Sequence, residues 1–352
     1  MSTPLQSLAE QGQSPWIDYI SRPFIEDGDL EELVRQGILG VTSNPTIFQG
    51  AIADGNAYDE QLREVLQSKN DPKEVFLALA RDDIRHACDL FSDVFNRGDA
   101  TRDGWVSLEV DPNLAHDASG TSAEARRLHQ MIDRPNLFVK IPGTKEGLQA
   151  IEDTIAGGIP VNVTLLFSLE RHREAAEAYI RGLRRLQQDG GDLHSVASVA
   201  SFFVSRVDTE ADGRLEQAGD YQELRGTLAI ANAKLAYQTY KELFTGPEWR
   251  QLAAAGASPQ RCLWASTSTK TRTIATCSTS RSSSGQTPWT RCRARRSRPS
   301  RTTAASSRRS SATSTKPGGR SRHSRRRASS TTTSWRCSSA RACRSSPTRS
   351  AS

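Results

Sequence analysis

Polar residues of a few chemical types interrupt short apolar runs in the first half of the chain. Asp18 lies within Trp-Ile-Asp-Tyr-Ile, Asn44 follows Gly-Val-Thr-Ser, and Glu109 lies within Val-Ser-Leu-Glu-Val. Lys140 lies within Leu-Phe-Val-Lys-Ile-Pro, and Asn162 and Thr164 within Val-Asn-Val-Thr-Leu-Leu-Phe. Taken singly, each is more simply a solvated edge residue or half of an ion pair. Taken together they describe a polar, ionisable pocket, because an inward charge is costly unless it is paired or placed at an opening.

Lys140 decides which chemistry. A lysine between Phe138-Val139 and Ile141-Pro142 sits in an apolar sleeve, which penalises the ammonium and lowers its pKa. A neutral amine attacks a ketone and forms a Schiff base. The iminium is an electron sink, so a neighbouring carbon–carbon bond can break or form. Asp18 could serve as acid and base for the substrate hydroxyl, and Glu109 as base for the water of imine formation and hydrolysis. This chemistry requires no metal and no cofactor. Lys145 is a rival lysine, but it opens the next helix and is expected to be solvated. His86, His129 and His172 fall on helical stretches with no ligand spacing and are expected at the surface or in packing.

Such residues need a scaffold that gathers them from distant parts of the chain. Strand-like runs occur at Trp16–Ile20, Ile38–Thr42, Trp105–Val110, Leu137–Ile141, Val161–Phe167, Val196–Ser201 and Cys262–Ala265. Amphipathic helical stretches lie between them. In the clearest, Pro72 to Asn96, Val75, Leu79, Ile84, Ala87, Phe91 and Val94 share a face, with Asp71 as N-cap and Glu74 completing a capping box. A second, Thr227–Phe244, stacks Ile230, Tyr237 and Phe244 and stops at Gly246-Pro247. The alternation predicts an α/β fold, a (β/α)8 TIM-type barrel, for which about 250 residues is typical. A doubly wound sheet is less suited, since no strand precedes a dinucleotide-binding glycine fingerprint. In a barrel, polar residues at the C-terminal strand ends are the ones to suspect.

Composition divides the chain. The net charge of +7 is the sum of two unlike parts. From Thr271 to Ser352 there are 19 Arg, one Lys and no acidic residue, whereas the first 270 residues hold 27 basic and 40 acidic ones. No apolar run approaches the ~18 residues of a membrane helix, and the N-terminus lacks a signal segment. Only Cys88 and Cys262 lie in the first 270 residues, so no disulfide framework is expected and a cytoplasmic location fits. Three regions result: an N-terminal extension (1–13), a barrel (14–270) and a basic tail (271–352).

Five motifs carry a family resemblance. Gly40–Phe48 (GVTSNPTIF), Val106–Asp111 (VSLEVD), Val139–Thr144 (VKIPGT), Val161–Ser168 (VNVTLLFS) and Ser201–Arg206 (Ser-x-Phe-x-x-Arg) resemble transaldolase, particularly its bacterial form, over about residues 14 to 270. The resemblance implies transfer of a dihydroxyacetone unit from sedoheptulose 7-phosphate to glyceraldehyde 3-phosphate, giving erythrose 4-phosphate and fructose 6-phosphate. By motif, Lys140 would be the Schiff-base lysine and Asp18 the acid/base for bond cleavage, with Glu109 and Thr164 holding the catalytic water. Asn44, Asn162 and Ser201 would bind the three-carbon fragment. Arg206 would grip the phosphate with its forked guanidinium, near Ser266 and Ser268. The resemblance also admits a homodimer. A related Schiff-base aldolase, acting on fructose 6-phosphate without transfer, is the alternative, and strand-end residues alone do not separate the two.

The pattern stops at Leu263–Lys270 (LWASTSTK). Beyond it, Ser, Thr and Arg supply 56 of 82 positions, too little apolar surface to order a chain, so the tail is expected to be disordered and to contain no eighth strand. Written in suitable codons with one base restored beside Lys270, KTRTIATCSTSRSSSGQTPWTRC can be read in the shifted frame as KDPDYRDVQYVEELIGPDTVDTMP, the text the family would carry here. Arg, Ser, Thr and Ala enrichment is also what a GC-rich gene gives out of frame. The expectation is a frameshift. A barrel of seven strands would leave two unpaired edges, a poorly folded chain and little activity. A nucleic-acid-binding protein working through its basic tail is the competing class. It is disfavoured because an acidic body and a basic arm pair with each other, and because the tail's tryptophans are isolated.

Overall fold

The computed structural model describes residues 2–97, 103–219, 221–267 and, as backbone, 289–292. The chain divides into two units, Met1–Ala294 and Arg295–Ser352, and every described residue belongs to the first. The strands are β1 Ser14–Ile17, β2 Gly40–Thr42, β3 Trp105–Glu109, β4 Leu137–Pro142, β5 Val161–Leu166, β6 Ser198–Phe203, β7 Arg261–Ala265 and β8 Trp289–Cys292. All pair in parallel and in sequence order, closing into the α/β barrel that the alternation predicted.

The eighth strand corrects the expectation that the barrel lacks one and that the tail contributes none. Trp289–Cys292 pairs with Ser14–Ile17 on one side, and with Leu263 and Trp264 on the other. A parallel ladder is built from backbone N–H and C=O groups, which any non-proline residue supplies. The edges of β1 and β7 offer those groups whatever the side chains. With β8 in place, β1 and β7 both have a ladder partner on their outer edges.

Each of the first seven strands alternates between the barrel interior and the helical layer. Outward residues such as Val41, Val106, Val139, Ile141, Val161 and Val163 join the apolar shell shared with the helices. Inward residues at the N-terminal end form a separate apolar plug of Trp16, Trp105, Phe138, Val199 and Leu263. Trp105 stacks on Phe138 with ring centroids 4.0 Å apart. Glycine is required beside this plug: Gly40 pairs with Trp16, and a Cβ there would lie 2.4 Å from the indole.

The N-terminal extension is ordered. Helix Pro4–Glu10 is closed by a Thr3–Gln6 capping box, and Gln6 Nε2 donates to Arg35 O. The predicted long helix is two, Pro72–Leu90 and Ser92–Asn96, divided at Phe91. Asp71 stands at the N-cap without a side-chain bond to the helix, so no capping box forms. Glu74 instead turns outward to Arg127 and Lys69. The second predicted helix spans Leu228–Leu243. Among the described residues, no helix is long and apolar enough to cross a membrane.

Candidate active site

Register assembles the site. Lys140 pairs with Glu109 of β3 on one side and Asn162 of β5 on the other, so three strands place their polar residues at one height. The Lys140 side chain is 3% exposed, its Nζ lies 2.8 Å from Glu109 Oε2, and it donates to Ser43 O at 3.0 Å. The apolar neighbours that form a sleeve in the sequence do not surround the amine. Val139 and Ile141 face the helices, and Phe138 lies below in the plug. Burial disfavours the ammonium, but a carboxylate and a carbonyl oppose that penalty.

A hydrogen-bonded chain runs round the interior beside Lys140. Ser201 Oγ donates to Asn162 Oδ1 at 2.7 Å, and Asn162 Nδ2 donates to Ser107 Oγ at 2.9 Å. Ser43 Oγ donates to Ser107 O at 2.7 Å, tying the turn after β2 to β3. Asn162 and Ser201 are fully buried. Ser43 and Ser107 escaped the sequence reading, because small hydroxyls in apolar runs look like packing. The signal for Ser107 was its position two residues before Glu109, on the same strand face.

Thr164 is 1% exposed, and its Oγ1 has no hydrogen-bond partner among the described residues. The backbone beside it is irregular: the β5–β6 register shifts between Val163 and Leu166, and Leu165 takes φ 60°. A bulged residue of this kind re-aims its neighbours at a barrel rim.

Asp18 is the first residue beyond β1 and is half-buried. Asn44 is the N-cap of helix Pro45–Ala53, its Oδ1 accepting from Ile47 N at 3.0 Å. Its carbonyl is therefore engaged, and its amide N–H groups are what it can offer a ligand. Arg206 is exposed on helix Ser205–Ala218, its guanidinium 4.9 Å from the Phe203 ring centroid. Ser266, at φ 57°, places Oγ 2.8 Å from Ser205 Oγ and accepts Ser205 N–H at its carbonyl, joining the ends of β7 and β6. Ser205 also escaped the sequence reading. Ser268 lies outside the described residues. Lys145 is exposed at the start of helix Lys145–Ala156.

The histidines stand apart from this cluster. His86 is exposed and His129 half-buried. His172 is buried, with Nε2 3.7 Å from Cys262 Sγ, and burial aided by the Arg173 charge pushes it down to about 4. The loop after β3 has its own anchor. Lys73 Nζ lies 3.2 Å from both Asp111 and Glu124. Burial works against the Asp111 carboxylate, but the Asn113 N–H and Lys73 hold it below its ordinary range.

Comparison with known proteins gives one family. The family described as Transaldolase/Fructose-6-phosphate aldolase matches residues 15–280. The chain is 53% identical over 273 residues to a transaldolase of Parafrankia sp., covering 77% of this chain and 74% of that one. It is 52% identical over 272 residues to a transaldolase of Acidothermus cellulolyticus, covering 77% and 73%. It is 51% identical over 273 residues to a transaldolase of Thermobifida fusca, covering 77% and 74%.

Proposed function

Because the chain belongs to the transaldolase/fructose-6-phosphate aldolase family, we propose that it moves a dihydroxyacetone unit from sedoheptulose 7-phosphate to glyceraldehyde 3-phosphate through an imine on Lys140. The observation that carries this reading is a buried lysine at the barrel mouth, 2.8 Å from a carboxylate able to take its proton. Glu109 deprotonates the Lys140 ammonium, and the amine attacks the donor ketone. The carbinolamine loses water, with Glu109 and Thr164 holding the leaving molecule. Asp18 takes the proton of the hydroxyl on the far carbon of the bond that breaks. The aldehyde departs, and the bonding electrons enter the iminium to give an enamine. The enamine attacks the acceptor aldehyde, Asp18 returns its proton to the new alkoxide, and water releases fructose 6-phosphate. Asn44, Asn162 and Ser201 hold the hydroxyls of the retained fragment, while Arg206, Ser266 and Ser268 hold phosphate.

Borohydride reduction with fructose 6-phosphate tests this. The reading expects a reduced adduct mapped by peptide mass to Lys140, and none in Lys140→Met. An adduct elsewhere would overturn it. Turnover without acceptor would identify the aldolase half of the family description; dependence on an aldehyde acceptor identifies transfer.

The proposal extends to the tail, which is out-of-frame text. The family match ends at residue 280. The closing strand, Trp289–Cys292, falls at the four positions where the shifted frame spells Val-Asp-Thr-Met. Intact mass from the native locus decides the matter: a mass matching the written sequence over an unbroken reading frame refutes the frameshift. Restoring one base after the Lys270 codon is expected to raise activity in the same assay.

A further inference from the structure

We propose that Arg22, Tyr58 and Asp83 form a positioning cluster for Asp18, fixing the turn on which it acts as acid and base. The proposal rests on the role given to Asp18 above. Asp18 lies between the end of β1 at Ile17 and helix Arg22–Glu26, so the path from strand to helix is four residues long. Ile20 and Ser21 on that path are buried. Ser21 Oγ accepts from Phe24 N and lies 3.2 Å from Tyr19 Oη. A short path with its helix-side half buried transmits any displacement of the helix start to Asp18.

The helix start is held from outside its own element. Arg22 N donates to Tyr58 Oη at 2.8 Å, and Tyr58 Oη donates to Asp83 Oδ2 at 2.7 Å. The Arg22 guanidinium donates to Asp83 Oδ1 at 2.9 Å, to Gln61 Oε1 at 2.6 Å and to Leu79 O at 3.3 Å. It also lies 4.5 Å from the Tyr58 ring centroid. Both oxygens of Asp83 are thus occupied, and its side chain is 4% exposed against 15% for Arg22. Burial pushes the Asp83 carboxyl upward, against the pull of Tyr58 and Arg22.

Stability alone does not explain such a cluster, because apolar residues of similar volume serve as well as a buried ion pair, or better. Direction does explain it, since a planar guanidinium donating to three different partners, Asp83, Gln61 and Leu79, is held in an orientation that apolar packing leaves free. Tyr58 and Gln61 follow helix Pro45–Ala53, which Asn44 caps, and Asp83 lies on helix Pro72–Leu90. One cluster therefore ties the turn after β1 to the segment after β2. Misplacing a reacting group by about 1 Å can cost about 100-fold in rate.

The two halves of the reaction separate the outcomes. Imine formation runs at Lys140 and Glu109; bond cleavage needs Asp18. Tyr58→Phe and Asp83→Asn are expected to trap the borohydride adduct of fructose 6-phosphate at the wild-type rate. Their kcat for transfer is expected to fall at least tenfold with KM within about twofold, the signature of Asp18→Asn. Equal losses in trapping and transfer would show a merely structural role. Unchanged transfer in both variants would overturn the proposal as well. Should Tyr58→Phe fail to fold, Asp83→Asn carries the same test. Absence of an adduct in the wild type would instead sink the imine reading itself.

Discussion

The Lys140–Glu109 pair should be coupled strongly enough to measure by a double-mutant cycle. At 2.8 Å the attraction is about 6 kcal/mol for an effective dielectric of about 20. Removing two ions from water offsets several kcal/mol per ion, so the intact pair contributes little net. Breaking it is different, because one partner is left buried and uncompensated. Lys140→Met and Glu109→Gln should each lose about 3–5 kcal/mol, a fall in Tm on the order of 10 °C. The double variant should lie within about 2 kcal/mol of wild type, giving a coupling energy of about 4 kcal/mol or more. Urea unfolding followed by fluorescence of the buried Trp16, Trp105 and Trp264 measures all four corners. If the two losses add in the double variant to within about 0.5 kcal/mol, the residues do not share a proton or a field. The assignment of Glu109 as the base for Lys140 would then fall with that result.

Three further outcomes follow from single positions. Thr164→Val removes a buried hydroxyl with no hydrogen-bond partner among the described residues. Stability should stay level or rise by up to about 1 kcal/mol while imine turnover slows at least about tenfold; a stability loss with unchanged turnover would reverse the reading. His172 is pushed from 6.5 to about 4, so the unfolded chain takes up its proton first. Its contribution is complete above about pH 6.5 and declines by about 3 kcal/mol as pH falls towards 4. His172→Phe should flatten that arm of a Tm–pH curve, and an unchanged arm would place the titration elsewhere. Gly40→Ala would set a methyl 2.4 Å from the Trp16 ring, and overpacking of this kind costs about 1–3 kcal/mol. A Tm within 1 °C of wild type would mean that the plug yields easily.

How much of this was legible depended on whether the signal lay in side-chain pattern or in backbone geometry. The first seven strands were legible because each is apolar on the face that meets the helices. Their ends were not, as at β1. The sequence run continues to Ile20, but the ladder stops at Ile17, where the chain turns to bring Asp18 to the mouth. Lys140, Glu109 and Asn162 stood out as polar residues inside apolar strands, and register then aligned them. The capping role of Asn44 was hidden because the same amide suits a ligand or a helix N-terminus. Phe91 was read as one more apolar residue of a continuous helix, yet with φ −92° and ψ 0° it divides two. The eighth strand was illegible for a deeper reason. Trp-Thr-Arg-Cys has no alternation to read, and only the presence of two unpaired edges gives such a segment its place.

The stacked rings at the base of the barrel set an apolar end opposite the polar mouth. Among the described residues, Trp16, Trp105 and Phe138 pack with Val199 and Leu263 to fill that end with apolar side chains. On the proposed mechanism, the departing aldehyde and the arriving one use the polar mouth in turn while the three-carbon fragment stays on the lysine. Kinetics should therefore be ping-pong, with parallel double-reciprocal lines. Each aldehyde should compete with the other for the loaded enzyme, a traffic rule imposed by the fragment held on Lys140, with the three aromatic side chains at the opposite end from the chemistry.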